Sequence, residues 1–359
     1  MKRNRAGGDE GHERHGANLA ALRDHNSEVL LGLLRDAAGN GASRAELARR
    51  TGLTPQAVSK ITARLREAGL VTEAGRRAST GGKPATALRL VPEGAHAVGV
   101  RLDRAALTVI LVDLAGTVVA ERSVPLSFGA GAGTVLDVVA AEVAALPVTG
   151  RTVLGVGVAA PGPLDHRAGV LGQVTGFPQW DGFPLREALA ERLSLPVVVD
   201  KDTNAAALGL LRGPHAHRAD SFAYLHLGSG LGAGLVFDGA VHRGARTGAG
   251  EFGHQVLSLD GPECGCGRRG CLEALCLAAP GPAEAARLLG VGAANLVRLL
   301  DIDRVVLGGE RVLADPRPYL AEVRAAVGEP VPVELTPSGP RTVAEGAAEL
   351  VLAPVFGRG

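Results

Sequence analysis

Residues 250–273 read GEFGHQVLSLDGPECGCGRRGCLE and hold three of the chain's four cysteines; the fourth, Cys276, lies just beyond. His254, Cys264, Cys266 and Cys271 together offer three thiolates and one imidazole, the Cys₃His donor set of a closed tetrahedral zinc site. Gly265, Gly267 and Gly270 separate the thiols, where a chain wrapping a metal needs tight turns. The spacing is not that of a common zinc finger. On spacing alone, the alternative of free thiols in a reducing compartment stays open, with His254 an ordinary loop histidine. A disulfide framework is disfavoured, because cysteines this clustered staple nothing distant.

Charge divides the chain. Residues 1–90 carry 16 Lys+Arg against 9 Asp+Glu, whereas residues 91–359 carry 22 against 28. A basic front end on an acidic body points to an anionic partner for the front end. At 46% hydrophobic content, 359 residues suffice for two or three packed domains. No apolar run long enough for a membrane span and no signal peptide are visible, so no membrane partner and a cytoplasmic location are expected.

Residues 1–17 are polar and read as a disordered tail. A helix over 18–37 carries Val29, Leu30, Leu33 and Leu34 on one stripe. Ser43 to Glu46 reads as a capping box opening a short helix that Gly52 ends. Thr54 caps the next helix, with Pro55 at its first position. That helix buries Val58, Ile61 and Leu65 and stops at Gly69. This is the helix-turn-helix plan. Two strand-like stretches, Leu70–Glu73 and Ala85–Leu90, flank a basic tip and read as a wing. The residues assigned to duplex DNA are Thr54, Gln56, Ser59, Lys60 and Arg64 on the second helix, with Arg76, Arg77 and Lys83 on the wing. The alternative is a three-helix protein-interaction module with a solvated basic loop.

The rest of the chain alternates strands and helices. Glu251-Phe-Gly-His254, followed after nine residues by Cys264-Gly-Cys266-Gly-Arg-Arg-Gly-Cys271-Leu-Glu273, resembles the signature of the ROK family of bacterial sugar kinases and sugar-responsive repressors. The resemblance covers about residues 18–355. It implies an α/β architecture: an N-terminal winged helix-turn-helix (18–90), then a two-lobed actin-like ATPase (ribonuclease H-like) domain (91–359) with a zinc-braced loop. The first lobe spans about 91–200 plus the C-terminal helix; the second spans about 201–340. Glu251, His254 and Glu273 are then expected to face a sugar, with Zn²⁺ structural. Lys201-Asp202-Thr203-Asn204 is similar to the segment that holds the kinase base, placing Asp202 at that position and Lys201 in the ligand site. Lys201 suggests a handle for a phosphorylated or acidic sugar; the alternative is a surface lysine.

Several departures bear on function. Where kinases of the family carry Asp-x-Gly-x-Thr in the first phosphate loop, this chain has Arg101-Leu102-Asp103-Arg104-Ala105. A carboxylate and bulky side chains there should repel nucleotide. Gly176 replaces a sugar-binding Asn, and only Ala274–Pro282 separates the zinc loop from the next long helix, so the second lobe is expected to be shortened. Trp180 is expected to pack rather than bind. The expectation is a non-catalytic regulator, a repressor that pairs operator DNA with a sugar or sugar-phosphate effector as a homodimer or tetramer. The alternatives are a sugar kinase with an appended DNA-binding domain, and a regulator answering to a protein partner.

Overall fold

The structure, a computed structural model, describes residues 19–76, 86–214, 216 and 221–358. The N-terminal unit is α1 (Leu19–Asp36), β1 (Ala42–Ser43), α2 (Arg44–Thr51), α3 (Pro55–Glu67), β2 (Val71–Arg76) and β3 (Thr86–Leu90). The capping chemistry lies where the sequence puts it. The Ser43 hydroxyl accepts from the Glu46 N–H, Gly52 closes α2 at φ +71°, and Thr54 caps α3 with Pro55 at its first turn. β2 and β3 pair antiparallel, and β1 adds a short third strand on the far side of β3. The tail and the wing tip, including Arg77 and Lys83, lie outside the described residues, as does the side chain of Arg76.

Two five-stranded sheets follow with one plan. In the first, β4 (His96–Leu102), β5 (Ala106–Asp113) and β6 (Val118–Pro125) form an antiparallel meander. β7 (Val153–Ala160) and β10 (Val197–Lys201) extend it in parallel on the β4 side, giving the order β10-β7-β4-β5-β6. α4 (Ala132–Ala144) and α5 (Leu185–Leu193) cover one face, and the hairpin β8 (Leu164–Asp165) and β9 (Val170–Leu171) leads toward α5. Trp180 is buried in this layer, stacked on Phe128 and donating its indole N–H to the Phe128 carbonyl, which is a packing role.

α6 (Asp202–Arg212) crosses to the second sheet, ordered β13-β12-β11-β14-β15 from β11 (Phe222–Leu227), β12 (Leu231–Phe237), β13 (Ala240–Val241), β14 (Arg304–Gly308) and β15 (Val333–Leu335). Again three strands form the meander and two add in parallel. α7 (Leu272–Ala278), α8 (Pro282–Leu300), α9 (Glu310–Ala314) and α10 (Pro316–Val327) complete this lobe. α11 (Thr342–Val355) returns to the first lobe and lies on α6. Their approach is too close for side chains. A Cβ on Gly346 would stand 1.9 Å from the Ala205 carbonyl oxygen, and one on Gly157 of β7 1.8 Å from that of Ala347. Among the described residues no helix is long and apolar enough to cross a membrane.

The N-terminal unit is not tethered by a free linker. Leu30, Leu31 and Leu34 of α1 share one apolar cluster with Ile110 and Val112 of β5 and Leu352 and Phe356 at the C-terminus. Inside this seam Arg35 donates to both carboxylate oxygens of Glu349 on α11, one at 3.1 Å, and its guanidinium lies 4.6 Å over the Phe356 ring. Both side chains are buried, at 6% and 2% exposure. Removing one partner strands the other charge in an apolar setting. Arg35→Met is therefore expected to cost about 3–5 kcal/mol in chemical denaturation, and Arg35→Met/Glu349→Leu to recover most of that loss. A single-variant loss below about 1 kcal/mol, the size of an exposed pair, would contradict this assignment.

Candidate functional site

The Cys–His loop packs beside the second sheet. A single 3-10 turn, Phe252–His254, presents His254, and isolated bridges Val256–Cys271 and Glu263–Arg269 fold the segment between into a narrow ribbon. Gly270 is required there: at φ +65°, a Cβ would lie 1.5 Å from the Ser258 carbonyl oxygen. The ribbon brings His254 Nδ1 to 3.6 Å from Cys264 Sγ, and Cys266 Sγ to 3.7 Å from Cys271 Sγ. The four donor atoms all lie within 4.8 Å of one another. A tetrahedron with metal–sulfur bonds of about 2.3 Å has edges of about 3.8 Å, so this cluster could hold a metal ion. Burial pushes the Cys271 thiol up to about 12, so ion uptake must displace a tightly held proton. Cys276 stands apart, buried on α7 with its thiol against the Ala285 carbonyl.

His254 directs its other nitrogen away from the thiols, 3.9 Å from Glu251 Oε2. Both line an open cleft between the lobes, with an empty volume of about 700 Å³ counted to its solvent mouth. All five residues that the sequence assigns to a ligand, Lys201, Asp202, Glu251, His254 and Glu273, line this one cleft. Asp202 begins α6, accepts the Thr203 N–H at 2.6 Å, and is pushed above the usual carboxylate range by burial. Glu273 accepts the Leu231 N–H at 2.8 Å, bracing the Gly228–Gly234 turn. Lys201 is neither a surface lysine nor a free cation. It is 5% exposed, and its Nζ donates to the Ala249 carbonyl at 2.6 Å and to Glu251 Oε1 at 3.2 Å.

Sequence reasoning missed the groups that set this geometry. Asp200, at the end of β10, is buried and accepts from the Lys201 N–H, Asn204 Nδ2 and Arg243 Nε, the last at 2.7 Å. It fixes the segment leading from β13 to Glu251. An acid closing the apolar run Val197–Val199 is the signal that could have revealed it. On the other side of the cleft, Arg101 of β4 donates to Asp103 at 2.8 Å and to Glu310, the first residue of α9. Glu310 Oε2 lies 3.6 Å from His226 Nε2, and the opposite ring nitrogen is 2.9 Å from the Tyr224 hydroxyl. Burial alone would raise the Glu310 carboxyl, but the His226 contact and the Arg101 charge outweigh it and hold it well below the usual range. The Ser229 hydroxyl donates to Asp103 Oδ1 at 3.4 Å. Side chains thus span the lobes at Arg101–Ala105, the turn that the resemblance aligns with the first phosphate loop.

On the N-terminal unit, Thr54, Gln56, Ser59, Lys60 and Arg64 are exposed along α3. Thr54 also caps the helix, and Arg64 is tied back to the Ser27 hydroxyl on α1. Gln56, Ser59 and Lys60, at i, i+3 and i+4, present one face.

Comparison with known proteins follows this division. Residues 97–281 match the model of the ROK family, and residues 29–79 that of the MarR family. The xylose repressor of Caldicellulosiruptor bescii is 30% identical over 260 residues, 71% of this chain and 64% of that protein. The N-acetylglucosamine repressor of Escherichia coli O157:H7 is 31% identical over 65% of this chain and 58% of its own length. The match therefore spans less than two thirds of these relatives. A crystal structure of a ROK family transcriptional regulator, a homologue of the E. coli MLC protein, superposes with a TM-score of 0.76 at 21% identity, covering 93% of this chain and 98% of that one. A ROK family glucokinase from Streptomyces griseus, solved with glucose and AMPPNP, superposes at 0.61 with 27% identity, covering 71% and 99%.

Metal analysis of the purified full chain should find about one ion per chain, removable by a strong chelator. Cys271→Ala should weaken retention by more than the roughly 10–100-fold typical of an outer-shell change. Equal protease resistance of residues 250–273 before and after chelation would rule the cluster out as a metal centre.

Proposed function

The chain belongs to the ROK family, and from that premise we propose that it is a DNA-binding transcriptional repressor of carbohydrate-related genes, responding to a sugar held in a non-catalytic cleft. The observation that carries this reading is the pairing, in one chain, of a capped helix-turn-helix with a sugar-kinase-like cleft bridged by Arg101 and Glu310. The similarity to a xylose repressor and to an N-acetylglucosamine repressor supports it. α3 enters the major groove with Gln56, Ser59 and Lys60 toward base edges, and Arg76, Arg77 and Lys83 of the wing meet the phosphate backbone. The protein works in the cytoplasm as a homodimer on a symmetric operator.

Kinase activity is the second reading, kept by Asp202 at the base position. The Arg101–Glu310 and Ser229–Asp103 contacts weigh against it, since they tie up charged and polar side chains at the turn where the family's kinases are expected to hold phosphate. Asp202 then accepts a ligand hydroxyl rather than activating it.

The charges around the cleft favour a neutral sugar over its phosphate. Asp103, Asp202, Glu251 and Glu273 line it against Arg104 and Lys201, and the Lys201 charge is already matched by Glu251. A surplus of negative charge repels a phosphate. The ion fitting the Cys₃His cluster is Zn²⁺ in a closed, structural role. His254 would hold it through the ring nitrogen that faces the thiols, and a metal-bound imidazole has its remaining N–H oriented for a ligand oxygen. Glu251 and Glu273 accept hydroxyl hydrogens. Because α1 shares a core with the first lobe, a sugar drawing the second lobe toward the first repositions the two DNA-binding units of a dimer. A preference of a few kcal/mol between arrangements suffices to switch occupancy.

The test is operator affinity of the full chain at fixed salt across neutral pentoses and hexoses and their phosphates. One neutral sugar is expected to change affinity at least tenfold, its phosphate by much less, and Glu251→Gln to abolish the response. A larger response to the phosphate would overturn the neutral-sugar assignment. Sustained ATP consumption with any of these sugars would overturn the non-catalytic reading.

A further inference from the structure

The seam between the DNA-binding unit and the first lobe contains a second cavity, far from the sugar cleft. Its empty volume is about 1940 Å³, counted to its open mouth. The end of α1, the strand β3, the β5–β6 turn, the last residues of α6 and the C-terminal Arg358 enclose it. Four arginines line it: Arg35, Arg89, Arg212 and Arg358. Two carboxylates answer them. Arg35 is matched by Glu349, and Arg358 by Asp36.

The other two arginines have no such match. Arg89 is exposed on β3 and makes no ion pair with any described residue. Arg212 gives one terminal nitrogen to the Gly239 carbonyl at 2.7 Å, while its Nε is buried without an acceptor. Among the described residues the cavity wall thus carries a surplus of two positive charges, where the inter-lobe cleft carries a negative surplus.

We infer that this cavity is a second ligand site, taking a small phosphate-bearing anion between the DNA-binding unit and the body. Two surplus charges match a phosphate monoester, which carries about −1.5 to −2 at neutral pH. Guanidinium forks meet phosphate oxygens with two parallel hydrogen bonds. Burial and the adjacent Arg358 hold Arg212 below the usual guanidinium range, against the opposing pull of Asp36 and Glu349. An anion there would touch both units at once, Arg89 on β3 and Arg212 on α6, and would tie their relative orientation to its own binding.

The experiment is calorimetric titration of the full chain with inorganic phosphate and with pyrophosphate, ionic strength being held constant with sodium chloride. Saturable binding is expected, weakened about ten- to hundredfold in Arg212→Gln. Because Arg212 also holds the Gly239 carbonyl, Arg89→Gln is the second variant; its side chain is exposed, and it should weaken binding without lowering Tm. Asp36→Asn releases Arg358 and should tighten binding. Heats no different from the chloride control, or equal affinity in wild type and both arginine variants, would overturn the site. So would variants that lose duplex DNA affinity in phosphate-free buffer while the wild type binds no phosphate, since the arginines would then serve the DNA backbone. The titration contains neither sugar nor DNA, so its failure leaves the sugar-responsive reading standing.

Discussion

The contact between α6 and α11 governs where everything else can be. The two helices cross with glycine against glycine: a Cβ on Gly209 would lie 2.8 Å from the Gly346 Cα. Ala205, Ala206, Ala207, Ala344, Ala347 and Ala348 fill the rest of the crossing, all of them buried. Small residues bring the backbones together at the cost of little side-chain entropy, and dispersion over the shared surface holds them. α6 carries Asp202 into the inter-lobe cleft at one end and Arg212 into the seam at the other. α11 carries Glu349 to Arg35. The helix pair is therefore the physical connection between the inter-lobe cleft and the seam that fixes the N-terminal unit.

Charge pairs do at the lobe boundary what apolar packing does within each lobe. Asp200–Arg243 and Lys201–Glu251 join the lobes beside the cleft, and Arg101–Glu310 joins them on the opposite side. Pairs of this kind depend strongly on geometry, because each ion has given up water to reach its partner. The Arg35–Glu349 pair differs in being buried on both sides, beside the apolar cluster under α1.

Much of this was legible in the sequence because its signals are local. Ser43, Thr54, Pro55 and Gly52 mark helix ends within a few residues, and Cys264 to Cys271 with His254 mark a Cys₃His cluster that could hold a metal ion. The alternation of Val98 to Val124 marks the meander. Other features were not legible because their partners are far apart in the chain. Arg101 and Glu310 are separated by 209 residues, and Arg35 and Glu349 by 314. No periodicity encodes such a meeting; only the fold creates it. Lys201 is the clearest case. Its neighbours in sequence left a surface site open, and what buries it is Gly162, Ala249 and Glu251, from a loop of each lobe. The wing tip lies outside the described residues, so Arg77 and Lys83 stand on the sequence alone.

The shared core under α1 has a further consequence. Val91-Pro92 reads as a natural place to cut, yet the surface beneath α1 is not a finished surface. Excision at that point would leave Ile110, Val112, Leu352 and Phe356 facing water, with Glu349 stripped of its cation. The body would be prone to self-association. Exchanging recognition heads between proteins of this build is thus a matter of grafting α1 and its underlying patch together, and a hybrid joined by sequence boundary alone inherits a mismatched joint.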